Sequence, residues 1–222
     1  ISTFQERGIH SLLSGNLMDV CPVGAITTRD YRFKSRPWDN PNAIDTICTL
    51  CERGCNVTAW IKGKPEWAKG ARLVRFTPRL NHEVNGYWMC DIGGFNYHWI
   101  ESEDRLTKPL VKEGTGVPQV ATWDAALKAV AAKRGTSGFT FLVSAHASNE
   151  ELFLVERLAD QIAISWRATP KAQHAATKFV VPAVDAPNVN GARDLGLPVG
   201  AGNSGAADLA PLRAEVEAGR IQ

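Results

Sequence analysis

The sequence predicts a chain of mixed architecture, an α+β portion followed by an α/β portion. Three observations predict it. Four of the five cysteines fall between Cys48 and Cys90, in a stretch where residues 57–61 and 73–77 read as short strands. From residue 109 the chain turns alanine-rich and cysteine-free, and strand, loop and helix patterns follow one another there, the order of a layered α/β domain. With 222 residues, 44% hydrophobic and 22% charged, the composition is that of an ordinary globular chain, which argues against disorder, collagen and coiled coil.

The elements follow in order. Residues 1–40 are mixed, with turn signals at Ser14-Gly15-Asn16 and Cys21-Pro22-Val23-Gly24, and a polar, Pro-rich link spans 36–42. Residues 41–108 hold the cysteine cluster with Trp60, Trp67, Trp88 and Trp99, and the two strands are joined by a Lys/Gly/Pro-rich loop that suits a hairpin. In residues 109–222, Thr122-Trp123-Asp124 opens a helix to about Lys133, and 138–144 is an apolar strand. Asn149 caps a helix with the stripe Leu152, Val155, Leu158, Ala159 and Ile162. Residues 183–206 read as loop, and 209–218 as a last helix with Asp208 as N-cap and Gly219 as C-cap. Residue 1 is Ile, and 220–222 resemble the first step of another strand, so both ends read as internal to a larger polypeptide.

Composition also excludes. The longest apolar runs, 139–143 and 179–184, fall far short of the roughly 18 residues a membrane helix needs. A net charge of +2 gives no basic field, so nucleic acid is not an implied partner. Five cysteines are too few, and odd in number, for a disulfide scaffold.

Cys48-x2-Cys51-x3-Cys55 crowds three thiols into one loop, and Cys90 supplies a fourth from a distance. That pattern suits a [4Fe–4S] cluster, whose loop wraps three corners while a remote cysteine closes the fourth. A structural zinc site more often reads as two separated pairs; here Cys90 has no neighbouring cysteine, although His82 or His98 stand near in sequence. Gly54 and Gly93 leave room for backbone to approach inorganic sulfide. Buried, unliganded cysteines are the bland reading, and four of them at this spacing argue against it. Cys21-Pro22 has the form of the remote fourth ligand of a ferredoxin-type [4Fe–4S] cluster. Such a cluster needs a CxxCxxC that residues 1–20 do not contain; without it Cys21 is a core cysteine.

Residues 14–26 (SGNLMDVCPVGAI) resemble the SGN-x-x-D-x-CPVGA segment of the large iron–sulfur subunit of bacterial NADH-quinone oxidoreductases, the respiratory complex I family. Phe33-Lys34-Ser35-Arg36-Pro37-Trp38 is similar to the segment that follows it. Cys48 to Cys90 resembles the [4Fe–4S] module that opens the molybdopterin oxidoreductase superfamily. Arg105-Leu106-Thr107-Lys108-Pro109-Leu110 and residues 122–127 (TWDAAL) resemble marks of that superfamily's α/β body. The resemblance implies three parts: the end of a ferredoxin-like cluster domain (1–40), a small β-rich [4Fe–4S] module (41–108) and a truncated, non-catalytic α/β body (109–222).

It further implies an electron-transfer subunit that relays electrons from NADH and flavin toward quinone. Cys48, Cys51, Cys55 and Cys90 would hold one [4Fe–4S] cluster, and Cys21 a second, shared with upstream cysteines. The partners would be other peripheral-arm subunits of complex I, including the flavin- and NADH-binding one, with no direct membrane insertion. The place would be the cytoplasmic side of a bacterial inner membrane, since mitochondrial counterparts lack the four cysteines. No catalytic residue and no molybdopterin are expected. The family usually has Arg or Lys where Gly94 stands, and Val184, in residues 184–187, occupies the position of a metal ligand in formate dehydrogenases. The reserve readings are the iron–sulfur part of an NAD-linked formate dehydrogenase or hydrogenase diaphorase, and a zinc-stabilised interaction module.

The remaining candidates have bland readings. The four tryptophans form either a dry shell around a cluster or ordinary packing. Lys62, Lys64 and Lys69 read as a solvated loop. Residues 144–149 lie between a strand and a helix start, where a phosphate could bind, but plain capping accounts for them. His146 has no evident nucleophile to serve. Glu150 and Glu151 read as first-turn dipole partners.

Overall fold

Inward Val57 and Ala59 alternate with half-exposed Asn56, Thr58 and Trp60, the period-2 pattern of a strand with one buried face. In the computed structural model this strand is the centre of a three-stranded antiparallel sheet. The structure describes residues 4, 7–68, 70–112, 114, 116–134, 140–159, 161–171, 178–199 and 210–219. The sheet runs β1 (Asn42–Ile47), β2 (Asn56–Ile61) and β3 (Leu73–Pro78), with Ile47 opposite Asn56 and Val57 opposite Pro78. The expected hairpin is therefore β2–β3. β1 is an added edge strand whose six residues are all exposed, so no apolar alternation marks it in the sequence.

The chain divides into two units, Ile1–Ser102 with Ala168–Pro187, and Glu103–Arg167 with Asn188–Gln222. This differs from the division at 40 and 108 expected from composition. Residues before and after the Pro-rich link share one unit, and 168–187, assigned to the α/β body, returns to it.

The first unit also contains two short helices, α1 (Asn16–Asp19) and α2 (Asp91–Phe95). Its core joins Cys55, Val57, Met89, Cys90, Phe179 and Val181, with Leu12, Leu13, Phe76 and Ile92 against them. A second cluster groups Tyr31, Ala68 and Val74 with Trp60. Lys62 is not solvated as expected: it is 4% exposed, and its ammonium donates to the carbonyl of Lys34 and pairs with Asp39 at 3.4 Å. Lys64 lies over the ring of Trp67 at 4.2 Å, and Lys69 lies outside the described residues.

The second unit has β4 (Leu110–Val111) paired with β5 (Gln119–Val120), and β6 (Thr140–Ser144) paired in parallel with β7 (Gln161–Ser165). A parallel pair needs a crossover, and α4 (Asn149–Leu158) provides it. The cap is Ser148, not Asn149: its hydroxyl accepts the Glu151 N–H, and the Glu151 carboxylate accepts the Ser148 N–H at 2.7 Å, a capping box. That accounts for Glu151 without catalysis. Of the expected stripe only Leu152 is buried within the helix; Leu158 is half exposed and Ile162 lies on β7. Thr122 accepts the Ala125 N–H at the start of α3 (Trp123–Arg134). The segment read as loop from 183 contains α5 (Val189–Asp194), and α6 spans Ala210–Glu217, with Gly219 at φ +69° beyond it. Residues 138–139, 208–209 and 220–222, on which other expectations fell, lie outside the described residues.

Asn85 is 2% exposed and fixes the turn that follows β3. Its side chain accepts the Asn56 N–H at 3.0 Å and donates to the carbonyls of Arg79 and Trp88, both at 3.1 Å. Asn85→Ala takes this partner from three part-buried backbone groups. It should lower the unfolding free energy by about 2–3 kcal/mol in urea denaturation; a loss below about 0.5 kcal/mol would remove Asn85 from this role.

Candidate metal centre

A loop with three cysteines folds here because its ends are tied and its middle can turn. The Cys48 N–H donates to the Cys55 carbonyl at 2.8 Å, closing the loop at the base of β1 and β2. Gly54 adopts φ +64°, a left-handed conformation that a residue with a side chain adopts at a cost, and this turns Cys55 inward. Cys90 arrives from the far side, at the residue that precedes α2.

Cys48, Cys51, Cys55 and Cys90 line one cavity with Leu50, Met89, Ile92, Gly93, Val181 and Lys171. Cys51, Cys55 and Cys90 are buried and Cys48 half-buried. A Cβ on Gly93 would lie 3.1 Å from Cys48 Sγ and 3.2 Å from Met89 Cε. The bare glycine thus leaves the thiols the space that any alanine would fill. Four thiols facing one apolar-walled space form a donor set that fits an iron–sulfur cluster. Among the described residues no group of three or more His, Cys, Asp or Glu is placed to hold a metal ion as it stands. His82 packs edge-on to Tyr87, and His98 bonds Asp30 at 2.9 Å; neither is among the residues that line the cavity.

Burial governs the thiols. It pushes Cys48 up to about 11, against the Leu50 N–H, which favours the thiolate, with Cys51 and Cys90 adding to the rise. It pushes Cys55 up to about 12, and also raises Cys51, where the Arg53 N–H and the Lys171 charge act in the opposite sense. Cys21 behaves oppositely. Its loop turns back so that the N–H of Ile26, then those of Ala25, Val23 and Gly24, face the sulfur and hold the thiol below its ordinary value. The same loop borders an open cavity of about 630 Å³ whose walls include Trp60, Arg75, Met89 and Cys90. The structure brings Cys48, Cys51, Cys55 and Cys90 together, and Cys21 faces this second space.

Two residues at the centre escaped the sequence reading. Asp91 clasps the SGN turn: its carboxylate accepts the Ser14 hydroxyl at 2.5 Å and the Gly15 N–H at 2.7 Å. Beside it, the Asn16 side chain accepts the Met89 N–H at 3.1 Å and donates to the Met89 carbonyl at 2.8 Å. The SGN motif was the signal, but Asp91 lies 77 residues after Ser14 and 76 after Gly15. The other is Lys171, on the returning segment, where Arg53 also binds the Val180 carbonyl at 2.7 Å and stacks on Phe179. The tryptophans do not form a dry shell. Trp67, Trp88 and Trp99 are 61%, 44% and 49% exposed, and Trp60 packs beside Tyr31 and Val74.

Two outcomes follow. In the metal-free chain at pH 8, iodoacetamide should label Cys21 first, since its thiolate is favoured, and Cys48 and Cys55 last, since theirs are suppressed; peptide mass mapping gives the order, and a reversed order contradicts these environments. Asp91→Ala removes two charge-assisted hydrogen bonds, each worth about 1.5–3 kcal/mol. Amide exchange at Gly15 should speed up by tenfold or more, while exchange in β7 stays unchanged.

Residues 1–27 match the ferredoxin-like domain of NADH-quinone oxidoreductase subunit 3. The chain is 39% identical over 132 residues to the mitochondrial NADH-ubiquinone oxidoreductase 78 kDa subunit of Candida albicans, covering 60% of this chain and 17% of that protein. It is 34% identical over 142 residues to the NADH-quinone oxidoreductase subunit designated G in Streptomyces coelicolor, covering 62% and 16%. It is 37% identical over 139 residues to NADH-quinone oxidoreductase subunit 3 of Thermus thermophilus, covering 57% and 16%. The chain thus spans about a sixth of the length of these relatives. They include bacterial and mitochondrial proteins alike, so they are neutral on the bacterial source expected from the four cysteines. By these matches and its SGN and CPVGA motifs, the chain is homologous to part of the large iron–sulfur subunit of NADH-quinone oxidoreductases, designated G or 3 in its bacterial forms.

Proposed function

We propose that this chain is an electron-carrying part of an NADH-quinone oxidoreductase. The carrying observation is the convergence of Cys48, Cys51, Cys55 and Cys90 on one apolar-walled cavity. These four would hold a [4Fe–4S] cluster, and Cys21 a second one completed by cysteines of the longer polypeptide. A bound cluster supplies one-electron transfer at iron. The residues of the chain do the rest. The thiolates anchor the iron. The N–H groups of Leu50 and Arg53 point at sulfur and stabilise its charge. Met89, Ile92 and Val181 keep water out, which strengthens every local charge effect.

A zinc site is less well supported. Structural zinc sites more often draw on two separated pairs of ligands, whereas Cys90 joins a loop that already carries three cysteines, and neither His82 nor His98 lines the cavity. The electrons would come from NADH by way of a flavin-bearing subunit and go toward quinone. The partners would be other peripheral subunits of that assembly, on the cytoplasmic side of the membrane. No helix among the described residues is long and apolar enough to cross a membrane. The α/β unit is read as a truncated, non-catalytic relative of the molybdopterin oxidoreductase body. Asp185, beside Val184 in the loop compared with formate dehydrogenases, is engaged with Lys171 at 2.6 Å.

The test is metal content. The purified assembly should yield about four iron and four acid-labile sulfide for this module, and Cys51→Ala should abolish its EPR signal while the signals of other centres persist. One zinc without sulfide, or an unchanged signal in Cys51→Ala, overturns the assignment.

A further inference from the structure

Lys171 stands far from the cysteines in sequence, yet its side chain lines their cavity. The side chain is 7% exposed. Its ammonium donates to the carbonyls of Pro182 at 2.7 Å, Ala183 at 3.2 Å and Thr169 at 3.4 Å, and to Asp185 Oδ1 at 2.6 Å. The support is itself braced. Thr169 N–H donates to the Ala183 carbonyl at 2.8 Å, Ala168 bridges Val184, and the Thr169 hydroxyl donates to Asp185 Oδ2 at 2.5 Å.

Withdrawing an ammonium from water is costly unless it is paired, and a lysine stem is long enough to carry its charge out to solvent. Here the fold holds the charge inside, on the wall shared by four thiols. We propose that Lys171 is the fixed counter-charge of the four-cysteine centre and sets its reduction potential. The inference rests on the cluster reading of those cysteines.

The argument is electrostatic. Reduction adds one electron, and so one negative charge, to a site that already carries four thiolates, with no bond made or broken and no proton moved. A positive charge on the wall favours the reduced state, and the low local dielectric makes the effect large. Asp185 works against it from behind: it pairs with Lys171 but is not among the residues that line the cavity. Glu52, exposed to solvent, opposes Lys171 at Cys51, and Arg53 acts on Cys55. Lys171 is a positioning residue in this sense, since it acts on the iron through charge and without ligating it.

The experiment is a dithionite potentiometric titration of the assembled complex, followed by EPR, for the parent protein, K171Q, K171R and D185N. Iron and sulfide are counted in each. In K171Q the reduced-to-oxidised ratio at a fixed potential should fall about tenfold, which is about 59 mV for a one-electron couple. K171R should restore the parent midpoint, and D185N should move it upward. A fully loaded K171Q with the parent midpoint overturns the inference and leaves the cluster reading standing, whereas a parent protein without iron and sulfide sinks both. If K171Q fails to load, D185N decides: an unchanged or lowered midpoint in that variant overturns the proposal.

Discussion

Three thiols of one loop and a fourth from farther along the chain line one cavity, and the layout of the first unit follows from that constraint. The hairpin ladder places Cys55 at the foot of β2, and the Cys48–Cys55 backbone bond folds the intervening loop over it. Asn85 then bends the chain after β3 so that Met89 and Cys90 return to the same side. None of these devices is large. Each is a few hydrogen bonds, and where such groups are withdrawn from solvent, leaving one unmade costs more than making it gains.

The clasp between the SGN turn and the Cys90 corner extends the constraint to the neighbouring loop. Asp91 accepts Ser14 and Gly15 one residue beyond a candidate ligand, and Asn16 brackets Met89 one residue before it. The Cys21 loop is thus registered against the four-cysteine cavity by three side chains. The two sulfur environments differ in kind. One is apolar and crowded, and its burial raises the Cys48, Cys51 and Cys55 thiols; the other turns backbone N–H groups toward a single sulfur and favours its thiolate.

Much of this was legible in the sequence, for reasons that are local. The CxxCxxxC spacing, the alternation of β2 and the turn residues around 62–71 are all short-range signals. What stayed hidden was either unmarked or remote. β1 buries nothing, so its composition says nothing about strand. Lys62 looks like a loop lysine until Asp39 and the Lys34 carbonyl close around it. Ser148 and Asn149 are both good caps, and only geometry chooses between them. Lys171 lacked any cue, because its partners at 182–185 and its cavity at 48–90 meet it only in three dimensions.

The first unit is also discontinuous, built from residues up to 102 and again from 168 to 187. Seen along the time axis of synthesis, this separates the thiols from their cover. Lys171 leaves the ribosome about 80 residues after Cys90, which at 5–20 residues per second is a delay of roughly 4–16 s. During that interval the cavity has its cysteines but neither Val181 nor Lys171 on its wall. On the cluster reading, the order of the chain completes the four ligands well before it supplies the segment that bears Lys171.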